Sequence, residues 1–343
     1  MALGERKLKI LEAVVDTYVR TGEPVGSKAI CEMMQNSVSS ATIRNEMADL
    51  AEKGLLEQPH TSAGRIPSQM GYRVYLNHRT GNESLSRQEQ AVIDSMLSEA
   101  GRDPERLLKD VSQTLAALTN YAAVATTPMP EKTTVRSVQT VPVGRRTALV
   151  ILMTSSGILK NKICSCDFDL TPEILRVISR LFHEKLLGKP LQEITVAYVQ
   201  TMAAEIGEFA FLVSPVLMAV LEAAREASLS DVCLNGEENL ISHSEYGDSE
   251  LRRILNFLNR RAELANLLNE KQGGARVLIG EESARPELAE SSMVITRYSI
   301  GGEDAGSIAV IGPTRMNYSK VMANLEYVSE AVGRILTEFL RNE

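Results

Sequence analysis

Residues 39–67 read SSATIRNEMADLAEKGLLEQPHTSAGRIP, and this stretch decides the fold of the amino-terminal region. Ser39 or Ser40 can cap a helix, because a serine hydroxyl accepts a hydrogen bond from the free backbone N–H groups of the first turn. Gly54 can end the same helix as a C-cap. Residues 55–67 then have the pattern of a strand, a tip and a returning strand. The stretch therefore predicts a helix followed by a β-hairpin.

Two further helices are predicted before this stretch and one after it. Apolar residues recur at helical spacing over residues 5–21, and a proline follows them. A short second helix begins near Ser27, which we expect to be its N-cap. Pro67 stands where a fourth helix would begin. Turn-forming residues at 80–84 then mark the first domain boundary, which we place after residue 82.

The helix that follows the capping serines has one apolar and one polar face at 100° per residue. The inner face carries three apolar residues, namely Ile43, Met47 and Leu50. The outer face carries small or polar residues, namely Ala41, Thr42, Arg44, Asn45, Ala48 and Asp49. In the major groove of DNA, an Arg side chain can pair with guanine and an Asn side chain with adenine. The pattern is typical of a recognition helix, and also of an ordinary solvent-exposed helix in a small bundle.

The segment from Gln58 to Asn82 contains no Asp or Glu in 25 residues, although charged residues make up 24% of the chain. The predicted hairpin tip offers hydrogen-bond donors and a glycine for close backbone approach, as contacts with phosphates or the minor groove require. These tip residues are His60, Thr61, Ser62, Gly64 and Arg65. The alternative is that Arg65 is a solvent-exposed hairpin charge. We expect Tyr72 and Tyr75 to pack in the core under the hairpin.

The remainder of the chain predicts an α+β fold with antiparallel strands. The predicted elements are a helical segment over 86–118, short β-branched strands between 121 and 166, helices from 171 to about 227, a strand over 232–242, a helix over 249–272, three strands between 276 and 312 and a last helix over 317–340. The block of helices interrupts the strands, so we expect it to be an inserted unit. The expected domain boundaries are 83–166, 167–230 for the insert, and 231–343.

The composition is that of a folded protein. The chain has 343 residues, and its 44% hydrophobic content excludes global disorder. No apolar run reaches the roughly 20 residues that span a bilayer, and the charged first ten residues do not resemble a signal peptide. The four cysteines are unevenly spaced, so neither a disulfide framework nor a metal site is expected. We therefore predict a cytoplasmic protein without a cofactor.

The formal net charge of −7 argues at first against a nucleic-acid partner, but the charge is unevenly divided. Residues 1–80 carry 10 Lys and Arg against 9 Asp and Glu, a net charge of +1. Residues 81–343 carry 27 against 35, a net charge of −8. The acidity thus belongs to the later domains. We expect weak non-specific DNA affinity and specific binding that depends on two half-sites.

Two strings carry a family resemblance. VGSKAICEMM at 25–34 and SVSSATIRNEMADLAEKGLLEQPHTSAGRIPSQMGYRVYL at 37–76 resemble the N-terminal domain of HrcA, the bacterial heat-inducible transcription repressor family. The later segments are similar in order, with less distinctive motifs. The resemblance implies a winged helix–turn–helix domain followed by a GAF-like domain, into which a helical dimerisation domain is inserted.

The resemblance also implies partners and site residues. It implies a homodimer that binds an inverted repeat in double-stranded DNA, called CIRCE, upstream of chaperone operons and represses them. It implies that the GroE chaperonin is a positive modulator. The DNA-binding residues that it implies are Ser40, Thr42, Arg44 and Asn45 in the helix and His60, Thr61, Ser62, Gly64 and Arg65 in the hairpin.

The same sequence also bears on two alternative functions and on two candidate dimer surfaces. An enzyme is not expected, because the sequence lacks the motifs of nucleotide-binding loops, serine hydrolases and zinc proteases. The alternative function is a ligand-sensing winged-helix regulator that uses its GAF-like domain. For the dimer we favour the apolar block 206–224 over the apolar stripe of the last helix. We expect that stripe to pack on its own sheet, because it lasts fewer than three heptads.

Overall fold

The structure, a computed structural model, describes residues 3–35, 38–60, 63–78, 84–98, 103–128, 133–207, 210–229, 231–270 and 275–341. Helices and antiparallel sheets alternate along the described chain, which confirms the predicted α+β class. No helix within these ranges is long and apolar enough to cross a membrane.

In its described residues, the amino-terminal unit consists of four helices and a short hairpin. Its elements are α1 (Glu5–Thr21), α2 (Ser27–Met33), α3 (Ser40–Glu52), β1 (Leu56–Glu57), β2 (Ile66–Pro67) and α4 (Gln69–His78). The two strands pair antiparallel, with Leu56 opposite Pro67. Tyr72 and Tyr75 are buried in the core of this unit, as predicted. The order of helices and hairpin predicted from residues 5–79 is therefore confirmed in the described part of that range.

Sixteen further helices and strands follow among the described residues. In chain order they are α5 (Arg87–Ser98), α6 (Pro104–Thr119), β3 (Ala122–Thr126), β4 (Val135–Pro142), β5 (Thr147–Thr154), β6 (Leu159–Ser165), α7 (Pro172–Lys185), α8 (Val196–Glu205), α9 (Ala210–Ala227), β7 (Val232–Asn235), α10 (Asp248–Leu258), α11 (Arg261–Asn269), β8 (Arg276–Ile279), β9 (Ser291–Ile300), β10 (Glu303–Pro313) and α12 (Tyr318–Arg341). Short 3₁₀ turns connect several of them.

A five-stranded antiparallel sheet in the order β7-β3-β10-β9-β8 forms the centre of the second domain. Alternate residues point to opposite faces of a strand, and both faces of this sheet are covered. Ala123 and Val310 pack with α6 and α12 on one face, whereas Val124 and Ile311 pack with α10 and α11 on the other. The last helix therefore packs on its own sheet, as predicted.

Strands β4, β5 and β6 form a second sheet of their own. Its inner face shares one hydrophobic core with α7, α8 and α9, from Val135 to Ala227. The chain leaves the five-stranded sheet after Thr126 and returns at Val232, and these two residues pair across neighbouring strands. A unit that leaves and returns at adjacent points has the geometry of an insertion.

The domain boundary expected at residue 167 therefore does not coincide with the boundary between the two hydrophobic cores. The sequence places β4–β6 with the domain at 83–166, but in the structure these strands pack with the helices of the insert. The alternation of apolar residues identifies a strand, but it does not say which sheet the strand joins. We propose that the inserted unit runs from about residue 133 to residue 229.

Two predicted elements are shorter than expected, and one predicted helical segment contains two helices. In the segment over 86–118 the second helix is α6, where Asp103 is the N-cap and Pro104 occupies the first turn, where the missing N–H costs nothing. The strand predicted over 232–242 ends at Asn235, because Gly236 has a φ of +79°. The helix predicted over 249–272 is broken at Arg260, whose ψ of 69° is not helical.

Candidate nucleic-acid interface

Helix α3 is capped by Ser39, one of the two serines considered for that position. The Ser39 hydroxyl accepts a hydrogen bond from the Thr42 backbone N–H at 3.2 Å. Ile43 and Leu50 are completely buried against α1 and α2, and Met47 is nearly so. The predicted apolar face of α3 is therefore confirmed, and its burial decides which side chains face outward.

Arg44 and Asn45 are exposed on the outer side of α3. Within the described residues, neither side chain has a hydrogen bond or an ion pair to another part of the chain. An unpaired guanidinium and an unpaired carboxamide next to each other are the groups that can bond to base edges. The structure thus leaves both side chains available to a partner molecule.

Ser40 and Thr42, which the resemblance also places at the DNA, have partners within the chain. The Ser40 hydroxyl lies 3.1 Å from the Ser27 hydroxyl, and the Thr42 hydroxyl lies 2.9 Å from that of Ser39. These bonds tie α3 to α2 and close its first turn. Ser27 was expected to cap α2, but Gly26 occupies the N-cap position, and the Ser27 hydroxyl contacts Ser40 instead.

Two acidic residues of α3, Glu46 and Asp49, face α1 and the end of their own helix. Lys7 forms ion pairs with Asp49 and with Glu46, the latter at 3.7 Å, and Lys53 bonds to Asp49 at 2.9 Å. Hydrogen bonds from Lys7 and Lys53 lower the pKa of Asp49. Asp49 was expected on the outer face, but these bonds draw it to the lysines. Its negative charge is compensated within the unit, which favours approach of a polyanion to the remaining face of α3.

The hairpin is anchored to the turn between α1 and α2. The Val25 N–H donates to the Arg65 carbonyl, and the Arg65 N–H donates to the Val25 carbonyl, both at 2.9 Å. Gly64 approaches this turn so closely that an added Cβ would lie 2.4 Å from the Val25 carbonyl oxygen. Only a glycine fits there without displacement, so the hairpin position depends on this residue type.

A groove of about 490 Å³ separates the outer side of α3 from the base of the hairpin. Its lining includes Ser27, Arg44, Ala48, Gln58, Gly64 and Arg65. The groove brings the predicted helix residue Arg44 and the predicted hairpin residues Gly64 and Arg65 to one surface. His60 is exposed at the edge of the described hairpin. Thr61 and Ser62 lie outside the described residues.

Two polar residues of this groove, Ser27 and Gln58, were not predicted as site residues. The Gln58 side chain donates to the Ala63 carbonyl at 3.1 Å and so helps to close the hairpin. The sequence feature that could have identified Gln58 as a site residue is its position at the start of the segment without Asp or Glu. Conversely, Arg73 lies in the same acid-free segment but forms an ion pair with Glu282 of the second domain.

The described residues lack a cluster of metal-binding side chains. No group of three or more His, Cys, Asp or Glu side chains in the described ranges could hold a metal ion. Cys166 is buried and Cys164 is half-buried. Burial raises the pKa of the Cys166 thiol to about 11 and also raises that of Cys164. Both thiols are therefore protonated at neutral pH and are poor nucleophiles.

The fold defines a multidomain α+β protein with an amino-terminal helix–turn–helix unit, an arrangement found in transcription regulators. Residues 105–322 match the family model described as the HrcA protein C terminal domain. The heat-inducible transcription repressor HrcA of Acetivibrio thermocellus is 36% identical over 332 residues, which cover 96% of this chain and 95% of that protein. The corresponding repressor of Ruminiclostridium cellulolyticum is 35% identical over 347 residues, which cover all of both chains.

The chain therefore belongs to the HrcA family of heat-inducible transcription repressors. The resemblance seen in the sequence is confirmed, and the family is one of heat-shock transcription repressors rather than of enzymes. A crystal structure at 2.2 Å resolution, described as that of a hypothetical protein, matches the fold with a TM-score of 0.68. It is 24% identical and covers 98% of this chain and all of that one.

Proposed function

We propose that this protein represses chaperone operons by binding the inverted repeat CIRCE as a homodimer, and that the GroE chaperonin keeps it active. The observation that carries the proposal is the position of Arg44 and Asn45. Both are exposed and unpaired within the described chain, on a helix that borders the same groove as Arg65. The family membership adds the heat-inducible operon class.

In this proposal residues 1–82 form a winged helix–turn–helix domain. The exposed side of α3 enters the major groove, where Arg44 and Asn45 bond to base edges. The hairpin is the wing, and Arg65 and His60 contact phosphates or the minor groove. Thr61 and Ser62, which follow His60 in the sequence, are expected to add further contacts with DNA. Ser40 and Thr42 lie at the start of α3, where their hydroxyls can contact phosphate while they hold the helix in place.

One such domain contacts only a few base pairs, so operator-level affinity requires two copies in a symmetric dimer. We infer that the outer face of the β4-β5-β6 sheet forms the dimer contact. Ile163, Leu149 and Val141 lie opposite one another across the three strands, as do Leu159 and Met153. These side chains are exposed or half-buried and lie outside the core of the insert.

The charge and shape of this outer face suit a second copy of the same face. Its exposed apolar residues include Ile163, which is 70% exposed, and the residues beside them in the central rows are Gln139, Asn161 and Ser137. Exposed apolar patches of this kind mark interaction surfaces. An uncharged face can pair with its own copy about a two-fold axis without bringing like charges together.

The apolar block 206–224, which the sequence favoured for the dimer, has another explanation. In α9 the side chains of Val216, Leu217 and Val220 are completely buried against β5, β6 and α8 of the same chain. Phe211 remains 68% exposed near the start of the helix. The hydrophobicity that nearly surrounds this helix therefore comes mostly from its central place in the insert.

One groove of the later domains gives the ligand-sensing alternative little support. A groove of about 390 Å³ lies between the insert and the second domain, beside Thr127. Four of its charged side chains are engaged with each other: Lys160 with Glu105 at 2.6 Å and Arg261 with Asp231 at 3.8 Å. A fifth, Glu226, forms an ion pair with Lys162. A charged ligand would have to break these ion pairs.

The proposal is tested by footprinting the protein on chaperone promoters that contain the inverted repeat, with and without added chaperonin. We expect protection of both half-sites, and stronger protection when chaperonin is present. A promoter with one half-site scrambled is the control and should lose protection on both sides. Equal protection of the scrambled promoter would contradict sequence-specific repression. Protection that does not change with chaperonin would contradict the modulation.

A further inference from the structure

Arg73 of α4 joins the amino-terminal unit to the second domain. Its guanidinium donates to Glu282 Oε1 at 2.8 Å, pairs with Glu282 Oε2 as well, and donates to the Val277 carbonyl at 2.6 Å. The Ile279 N–H also donates to Glu282, at 2.9 Å. Arg73 and Glu282 form a bidentate pair, and each of them also bonds to the main chain. Their relative orientation is therefore fixed, whereas a single ion pair between flexible side chains allows several orientations.

Arg315 forms a second connection, from the other side. It precedes α12 and donates to the Val19 carbonyl at 3.0 Å, in the last turn of α1, where helix carbonyls lack partners within the helix. It also forms an ion pair with Glu245, and both side chains are about one-fifth exposed. Its guanidinium stacks 6.0 Å from the Tyr18 ring. The end of α1 is thereby fixed to the domain of the five-stranded sheet.

Between the two arginines the contact is close-packed. The rings of Tyr72 and Tyr318 lie 5.8 Å apart, and both residues are only 2% exposed. Gln69 donates to the Ala289 carbonyl at 2.9 Å and accepts from the Glu281 N–H at 3.2 Å. An added Cβ on Gly280 would lie 2.2 Å from the Gln69 amide. Such a contact holds the two domains in one relative orientation.

We propose that Arg73 and Arg315 are positioning residues that determine which spacing of operator half-sites the dimer recognises. This inference rests on the proposed function. In a dimer, the distance and angle between the two copies of α3 depend on how each copy is held to the rest of its chain. If that connection is stiff, only one half-site spacing allows both recognition helices to bind together. If it is loosened, each domain can turn and follow its half-site.

The experiment compares affinity for the natural operator with affinity for an operator whose half-sites are moved apart by about five base pairs, roughly half a helical turn. A DNA with a single half-site reports binding by one domain. The variants are Arg73→Gln, Arg73→Lys, Glu282→Gln and Arg315→Gln. The matched control is Arg253→Gln, which removes an arginine whose ion pair with Glu250 lies within α10. The Arg73→Glu/Glu282→Arg double variant restores the ion pair in reverse.

We expect the affinity ratio of natural to lengthened operator to fall at least fivefold in the Arg73, Glu282 and Arg315 variants. It should stay at the wild-type value in Arg253→Gln and recover in part in the reversed pair, because a glutamate at position 73 cannot donate to the Val277 carbonyl. Because the readout is a ratio, a general loss of DNA affinity cancels. Arg73→Lys retains the charge and keeps the test valid if a neutral variant does not fold.

Two results would overturn the inference. One is a ratio that stays at the wild-type value in variants that still bind DNA. The other is an equal loss of affinity for all three DNAs, which would show that the contacts only stabilise the domain. Wild-type protein that does not distinguish operator from scrambled DNA would instead overturn the proposed function, and this inference with it.

Discussion

The backbones of Val25 and Arg65 are joined by two hydrogen bonds of 2.9 Å, one in each direction. Val25 lies in the turn that leads into α2, and Arg65 lies at the base of the hairpin. The pair therefore fixes the hairpin beside the helix–turn–helix, so that the Arg65 side chain borders the same groove as Arg44. The geometry of the proposed DNA surface depends on this main-chain contact more than on any single side chain.

We expect Gly64→Ala to displace the hairpin. The added methyl group would meet the Val25 carbonyl oxygen at 2.4 Å, and relieving such a contact typically costs about 1–3 kcal/mol. Urea unfolding followed by circular dichroism should show this destabilisation, and operator affinity should fall. Gly26→Ala in the same groove is the control for stability, since nothing lies within 4 Å of the place that its added methyl group would take. Equal stability of the two variants would contradict the close approach of Gly64 to the Val25 carbonyl.

The dimer surface is tested with Ile163→Asp. Ile163 lies opposite Leu149 on the outer face of the insert and is 70% exposed, so a carboxylate there should not disturb the fold of the chain. In a dimer with this face at its centre, the buried charges would repel, and sedimentation should show a monomer. Val177→Asp is the control, because Val177 is also exposed but lies on α7. A dimer that persists in Ile163→Asp and dissociates in Val177→Asp would place the contact elsewhere.

The pair of Glu89 and Lys320 predicts an acid-sensitive contact between α5 and α12. A hydrogen bond from Lys320, with two more from Ser86, lowers the pKa of Glu89 from 4.5 to about 2. Since the folded pKa lies below the unfolded value, this carboxylate stabilises the fold above about pH 4.5. That contribution is lost as the pH falls toward 2.

Carbon-13 NMR of the Glu89 carboxyl group checks this assignment. The resonance should titrate near pH 2 in the wild-type protein. In Lys320→Met it should titrate at a higher pH that is still below the ordinary value, because the two hydrogen bonds from Ser86 remain. Lys9→Met, which removes the partner of Glu5, should leave the Glu89 titration unchanged. A Glu89 titration that is the same in Lys320→Met and in the wild-type protein would show that the bond to Lys320 is not formed in solution.

Sequence reasoning predicted the amino-terminal unit better than the later domains. Ser39, Gly54 and the spacing of Ile43, Met47 and Leu50 are local signals, and local signals specify helices and turns. By contrast, the sheet to which β4–β6 belong depends on residues that are distant in the sequence. Val150 and Leu152 identify a strand with one buried face, but the partner of that face, α9, comes some sixty residues later.

The contacts between domains could not be predicted for the same reason. Nothing near Arg73 in the sequence indicates that Glu282 lies beside it, and an arginine in an acid-free segment is equally compatible with a role at DNA. Likewise, Asp49 falls on the outer face by helical periodicity, but Lys7 and Lys53 draw it to one side. Periodicity predicts the direction of a side chain and not the partner that it finds.

DNA binding by Arg65→Ala shows whether the Arg65 side chain contacts phosphates or recognises bases. The hydrogen bonds to Val25 involve only the main chain, so the hairpin should keep its position in this variant. Loss of a phosphate contact should weaken binding to operator and scrambled DNA alike and reduce the slope of log affinity against log salt by about 1. Arg253→Ala, on the exposed side of α10, is the control. A loss confined to the operator would assign Arg65 to base recognition instead.

The central claim is that the exposed face of α3 recognises operator bases, and Asn45 tests it most directly. The measurement is the affinity of wild type and Asn45→Ala for the inverted repeat and for a scrambled repeat at one salt concentration. The account predicts that Asn45→Ala loses about 1–3 kcal/mol on the inverted repeat and little on the scrambled DNA. Asn256→Ala, a substitution at an exposed position of α10, should change neither value. An inverted-repeat affinity that is the same in Asn45→Ala and wild type would contradict the account.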